Sequence, residues 1–154
     1  MRKLFALGAA LSLIAAGCGG GKKAATPTRN TALDQSAARF VVRIQAELRR
    51  GNFARAWRSL HPVQKRAVSR RRLASCYPRN AFPRTVTFRA TKVQDVSWQV
   101  PGSNTFSEAK EVTVTARSAG KTVDTFTQHV VSLSGAWTWM LSASFFRAAK
   151  RGSC

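Results

Sequence analysis

The densest apolar segment after the opening twenty residues is Thr122 to Phe146, TVDTFTQHVVSLSGAWTWMLSASFF. Apolar and polar positions alternate on either side of Ser134-Gly135, which predicts a β-hairpin turning at those two residues. With that turn, Phe126, Val130, Trp137, Trp139 and Leu141 share one face, because side chains alternate along a strand and cross-strand partners stand together. Such a face needs a cover, and the chain before it has helical periodicity.

Leu33, Ala37, Phe40, Val41, Ile44 and Leu48 recur at helical spacing behind a capping-box-like start at Thr31 and Asp34. Arg39, Arg43 and Arg50 fall on a common flank of the same helix. Gly51-Asn52 ends it and opens a short second helix, in which Phe53, Trp57 and Leu60 face one way until Pro62. The run VQKRAVSRRRLASCY does not fit one continuous helix. A break at Ser69 resolves the phase, with Ser69 capping a last short helix that ends near Tyr77. Arg70, Arg71 and Arg72 then crowd its first turn, where the helix dipole disfavours each cation by a few tenths of a kcal/mol.

After Pro83 the period changes from helical to alternating. Val86, Phe88 and Ala90 share a face, the phase slips at Val93, and it slips again before Val96, Trp98 and Val100. A long strand with one or two bulges is the economical reading. Pro101 to Asn104 is a turn or loop, Val112, Val114 and Ala116 mark one face of a second strand, and Ser118 to Lys121 turns into the hairpin. The end, RAAKRGSC, reads as a basic polar tail. Helices first and strands afterwards predict an α+β domain, its N-terminal helices packed on a curved antiparallel sheet.

The opening MRKLFALGAALSLIAAGCGGG changes the picture of where this domain sits. Its charged start, apolar run and small-residue close predict a secretory signal over residues 1–17, too short for a membrane span. Residues 18–31 are glycine-rich, basic and aperiodic, a flexible tether before a single domain at 32–154. Ala15-Ala16-Gly17-Cys18 resembles the lipobox of bacterial lipoproteins, apart from Ala15 where leucine is usual. That resemblance implies a diacylated Cys18 and a lipid anchor on the extracytoplasmic face of the cell membrane. Cys76 and Cys154 then remain as a pair in an oxidising compartment, and a disulfide between them is expected.

Of the 26 lysines and arginines, Arg2 and Lys3 leave with the signal, so 24 stand against six acids, a net of +18. Such a balance predicts attraction to polyanions, which outside the membrane means anionic lipid headgroups or cell-wall polymers rather than nucleic acid. A purely compositional excess of arginine stays open beside it. The candidate anion patch is Arg39, Arg43 and Arg50 together with Arg70, Arg71 and Arg72.

FVVRIQAELRRGNFARAWRSLHP resembles the first helices of the nuclear transport factor two-like (ketosteroid isomerase-like, cystatin-like) superfamily. HVVSLSGAWTWML resembles its closing Gly-x-Trp hairpin, and the likeness covers about residues 32–146. It implies a cone-shaped pocket between helices and sheet but no particular activity. Trp57, Phe88, Trp98, Trp137 and Trp139 are then either core or the lining of that pocket.

Isomerase chemistry in such a cone needs a carboxylate base and an oxyanion donor pair. Only Asp95 among the acids lies near the bulged strand, and Tyr77, the single tyrosine, lies by a helix end. His61 reads as a helix-end residue and His129 as facing away from Trp139. No metal-ligand spacing, nucleophile triad or phosphate loop is present in the sequence. The expectation is a non-enzymatic domain without cofactor, holding an apolar small molecule or a protein partner. The alternative is a basic module for envelope polyanions with no small-molecule ligand.

Overall fold

The computed structural model describes residues 31–77 and 82–154. The signal segment, Cys18 and the tether up to Asn30 lie outside the described residues. Four helices come first: α1 (Thr31–Arg49), α2 (Phe53–Arg58), α3 (Pro62–Ala67) and α4 (Arg70–Cys76). Four strands follow, β1 (Thr87–Gln99), β2 (Phe106–Ser118), β3 (Lys121–Leu133) and β4 (Ala136–Trp139), then a fifth helix, α5 (Ala143–Arg151). The strands pair in chain order as one antiparallel sheet, so the coarse α+β architecture is as expected. No helix among the described residues is long and apolar enough to cross a membrane.

The β2–β3 and β3–β4 hairpins each turn through two residues at positive φ, Ala119-Gly120 and Ser134-Gly135. That conformation matches the twist of the flanking strands, and Gly135 (φ 80°) adopts it without the steric cost a Cβ brings. The second turn pairs Val130 with Trp139 and Ser132 with Trp137, which aligns the apolar face expected from the alternation. α1 covers that face: Ala37, Phe40, Val41, Ile44 and Leu48 are buried in one cluster with Val93, Val112, Val114 and Val130. Leu33, expected in the same stripe, is 43 % exposed at the start of the helix.

The β1 phase slips once, between Ala90 and Lys92. Phe88, Ala90 and Val93 therefore face the helices, whereas Val96 and Trp98 face the other way. A second, smaller cluster forms there from Val100, Ala109, Val131 and Met140, with Val63, Val96, Trp98 and Leu133 packed on it.

The last strand also grips the helical layer through its backbone. The Trp139 amide donates to the Ser59 carbonyl at 3.0 Å and its carbonyl accepts from the His61 amide at 2.9 Å. The Trp139 indole donates to the Ala56 carbonyl at 2.7 Å. The α2–α3 connection is thereby held in place as a short parallel extension of the sheet.

What the sequence read as a polar tail is a helix. Ser142 caps α5 by accepting from the Phe145 amide, Phe146 and Ala149 are buried, and Gly152 (φ 74°) ends it. Gly102 lies against Phe146 so closely that a Cβ at that position would stand 2.5 Å from the ring. A disulfide joins Cys76, the last residue of α4, to Cys154, with Cα atoms 5.0 Å apart.

One buried ion pair spans the two layers. Lys110 on β2 reaches Asp34 in the first turn of α1 at 2.7 Å and Asp95 on β1 at 2.6 Å. Burial alone would lower the lysine pKa, but the hydrogen bonds and charges of the two aspartates outweigh it and hold it above its ordinary value.

Candidate basic groove

Helices α2, α3 and α4 form an open groove of about 830 Å³ with five basic side chains in its lining. Three local devices build it. Pro62 sits in the first turn of α3, where its missing N–H costs nothing, and His61 caps that helix by accepting the Val63 amide on Nδ1. Ser69 breaks α3 from α4 and accepts the Arg72 amide at 3.2 Å. Trp57 on α2 donates its indole N–H to the Val68 carbonyl at 2.8 Å, so its ring forms one wall while α3 crosses beside it.

Arg58, Lys65, Arg66, Arg70 and Arg72 line this groove, and no carboxylate does. Lys65 lies with its ammonium 5.8 Å from the centre of the Trp57 ring and donates to the Arg58 carbonyl at 3.0 Å. Five of the six acids are engaged elsewhere. Asp34 and Asp95 hold Lys110, Glu47 holds Arg55 at 3.0 Å, Glu111 meets His129 at 3.1 Å, and Asp124 accepts the Thr125 amide. None of these acids lines the groove, so its cations lack a carboxylate partner in the lining.

His61, behind the groove, registers this environment. Burial first, then the charges of Arg66 and Lys65, hold its pKa below the usual histidine range. On the opposite face of the sheet, burial also lowers His129, against the pull of Glu111. Both rings are therefore neutral in the folded state where unfolded histidines begin to charge. The stability they confer is complete above about pH 6.5 and is lost as the pH falls through their lowered folded values. We expect the urea midpoint to drop between pH 7.5 and pH 5, and His61→Asn, which keeps a capping side chain, to flatten the drop. An unchanged midpoint across that interval refutes the assignment.

The sequence-predicted residues separate into distinct places. Arg70 and Arg72 line the α2–α3–α4 groove and Arg71 is exposed beside it without lining it. Arg39, Arg43 and Arg50 line a different groove, between α1 and β1, so the single patch drawn from sequence is two surfaces. Arg58, Lys65 and Arg66 were missed. Their signal was the basic run on either side of Pro62, which reads as a solvated edge until α3 is folded back on Trp57.

Of the five aromatics, Trp98 and Trp139 line one cavity of about 370 Å³, and the other three do not reach it. Trp139 is buried, 2 % exposed, and bonded to Ala56. Trp137 donates to Ser36 Oγ on α1 at 3.0 Å, and Phe88 packs edge-on against Phe82 in a trio with Phe126. Trp57 belongs to the basic groove. Trp98 lies on the far face of the sheet, stacked on His129 with ring centres 3.5 Å apart.

Among the described residues no group of three or more histidine, cysteine or acidic side chains is placed to hold a metal ion. His61, read from sequence as a residue at a helix end, is instead the cap of the next helix. Compared with known proteins, the chain matches no family model, no curated protein and no solved structure.

Proposed function

We propose that this protein is a non-catalytic, lipid-anchored extracytoplasmic module that docks its basic helical face on anionic lipid headgroups of the membrane that carries it. The observation that carries the reading is the α2–α3–α4 groove, with five cationic side chains and no acid in its lining. A diacylated Cys18 and a tether of about a dozen residues would keep the domain within roughly 20 Å of the surface, where juxtamembrane cations each contribute about 1 kcal/mol. The two acyl chains of such an anchor hold the chain at the membrane, and the basic face sets how the domain lies against it.

The nuclear transport factor two-like resemblance belongs to this proposal, supported by the helices-first order and the closing Gly-x-Trp hairpin. A second reading, a small apolar ligand held between helices and sheet, is favoured by a cavity of about 370 Å³ lined in part by Leu48, Tyr77, Phe126 and Phe145.

The test uses the chain from residue 18 onward with Cys18→Ser, so that no acyl chain contributes. Vesicles containing phosphatidylglycerol should bind it at low salt and release it steeply toward physiological salt, and pure phosphatidylcholine vesicles should not bind it. Arg70→Gln with Arg72→Gln should weaken partitioning by about ten- to thirty-fold. Equal binding to both vesicle types, or no effect of the double substitution, would return the charge to composition.

A further inference from the structure

The second groove differs in kind from the first. α1 presents Ala38, Val42 and Ala46 along one row, four residues apart, and Arg39 and Arg43 along the next. Because Ala38 and Ala46 are small, they leave a trough of about 510 Å³ between the helix and the edge strand β1, closed on the sheet side by Phe88 and Ala90. Its floor is apolar. Its rim is arginine: Arg39 and Arg43 from α1, Arg50 just past its end, and Arg89 from β1. No carboxylate lines it, and among these four only Arg50 has an acidic neighbour, Glu47 at 3.9 Å. The Arg43 guanidinium lies 5.5 Å from the centre of the Phe40 ring, a stacking contact that restricts where its donors point.

An apolar strip bordered by guanidinium donors is complementary to a molecule with an alkyl chain and an anionic head. A bare anion leaves the apolar strip unused, and a neutral or zwitterionic amphiphile leaves uncompensated arginines beside it. We infer that this trough binds a single anionic amphiphile, an alkyl chain carrying a phosphate, with the chain along Val42 and Phe88 and the head between Arg39 and Arg43. Bidentate guanidinium–phosphate bonds fix the head, and burial of methylene groups against the floor supplies the remainder. This site shares no lining residue with the α2–α3–α4 groove, so it stands whether or not that groove docks on membranes.

The probe is dodecyl phosphate below its micelle-forming concentration, titrated into the non-acylated chain from residue 18 onward and followed by calorimetry. It should bind at least about ten-fold more tightly than inorganic phosphate, since each buried methylene adds close to 0.8 kcal/mol, and about ten-fold more tightly than dodecylphosphocholine. Arg39→Gln with Arg43→Gln, both exposed and so without cost to folding, should lose about ten-fold. Arg70→Gln with Arg72→Gln should leave the affinity within about two-fold, as expected of distant, independent sites. Inorganic phosphate binding as tightly as dodecyl phosphate would reduce the trough to a plain anion surface. Dodecylphosphocholine binding equally well would reduce it to an unspecific apolar strip. A comparable loss in the Arg70 and Arg72 variant would move the ligand to the other groove. Each of these three results overturns the inference.

Discussion

Replacing Cys154 with serine is expected to lower the stability of the oxidised protein by about 3 to 4 kcal/mol. The bond spans 78 residues, and on the chain-entropy account a loop of that length restricts the unfolded chain by about 4.5 kcal/mol. The native state retains part of the attachment without the bond. Phe146 and Ala149 stay buried against the core, and Arg72 still donates to the Lys150 carbonyl, so α5 frays at its far end rather than departing. Urea unfolding of oxidised wild type, reduced wild type and Cys154→Ser measures the difference. The two thiol forms should agree with each other and fall well below the oxidised one. A difference under about 1 kcal/mol, or two alkylatable thiols in the protein as isolated from cells, would remove the disulfide from the account of stability.

Lys110→Ala is expected to cost about 3 to 5 kcal/mol, because it withdraws the cation from a carboxylate that the fold has already desolvated. Asp34 is 6 % and Lys110 8 % exposed, and they join the start of α1 to the middle of the sheet. Asp95, its side chain 76 % exposed, is solvated on its own and matters less. The informative comparison is Lys110→Met with Asp34→Leu. If desolvation dominates, the apolar pair should restore wild-type stability or exceed it, as replacing buried ion pairs by packed apolar groups often does. Thermal or urea unfolding of the single and double variants decides between these outcomes. A Lys110→Ala change of under about 1 kcal/mol would show that the pair is effectively solvated.

The legible part of the fold was local. Ser134-Gly135 set the register of the last hairpin because a two-residue turn fixes which residues stand opposite each other. Ser69 divided α3 from α4 because the apolar phase fails there, and its hydroxyl caps the second helix as expected. α5 escaped because its apolar positions are few. The pattern of Ser142, Phe145, Phe146, Ala149 and Gly152 gives a cap, a face and a stop, yet it follows a strand closely and is rich in basic residues. The alternation left one or two bulges open in β1; a single one at Thr91 satisfies the ladder and puts Trp98 on the far face of the sheet.

The candidate sites were legible only in part, for a different reason. The arginines stood out by composition, but whether two sets of them share a surface depends on how α1 lies relative to α4, and no periodicity contains that angle. Lys110 was visible only beside Glu108 and Glu111 in the chain. Its real partners, Asp34 and Asp95, are brought to it by pairing across strands and by the seating of α1. Long-range electrostatic partners of this kind are a product of the tertiary fold and leave no local trace.

The clamp between Trp139 and the α2–α3 connection bears on the order in which the protein assembles. The indole bond to the Ala56 carbonyl closes a separation of 83 residues, and the two backbone bonds beside it close nearly as much chain. Contacts of that span form late, since the entropy of closing a long loop must be met before they stabilise anything. α2 and α3 are each six residues long, too short to persist alone. The walls of the basic groove therefore acquire their fixed spacing only when the final hairpin docks. A chain still being synthesised carries the arginines of that groove long before it carries the groove. The shaped basic surface is a property of the finished fold and not of any segment of it.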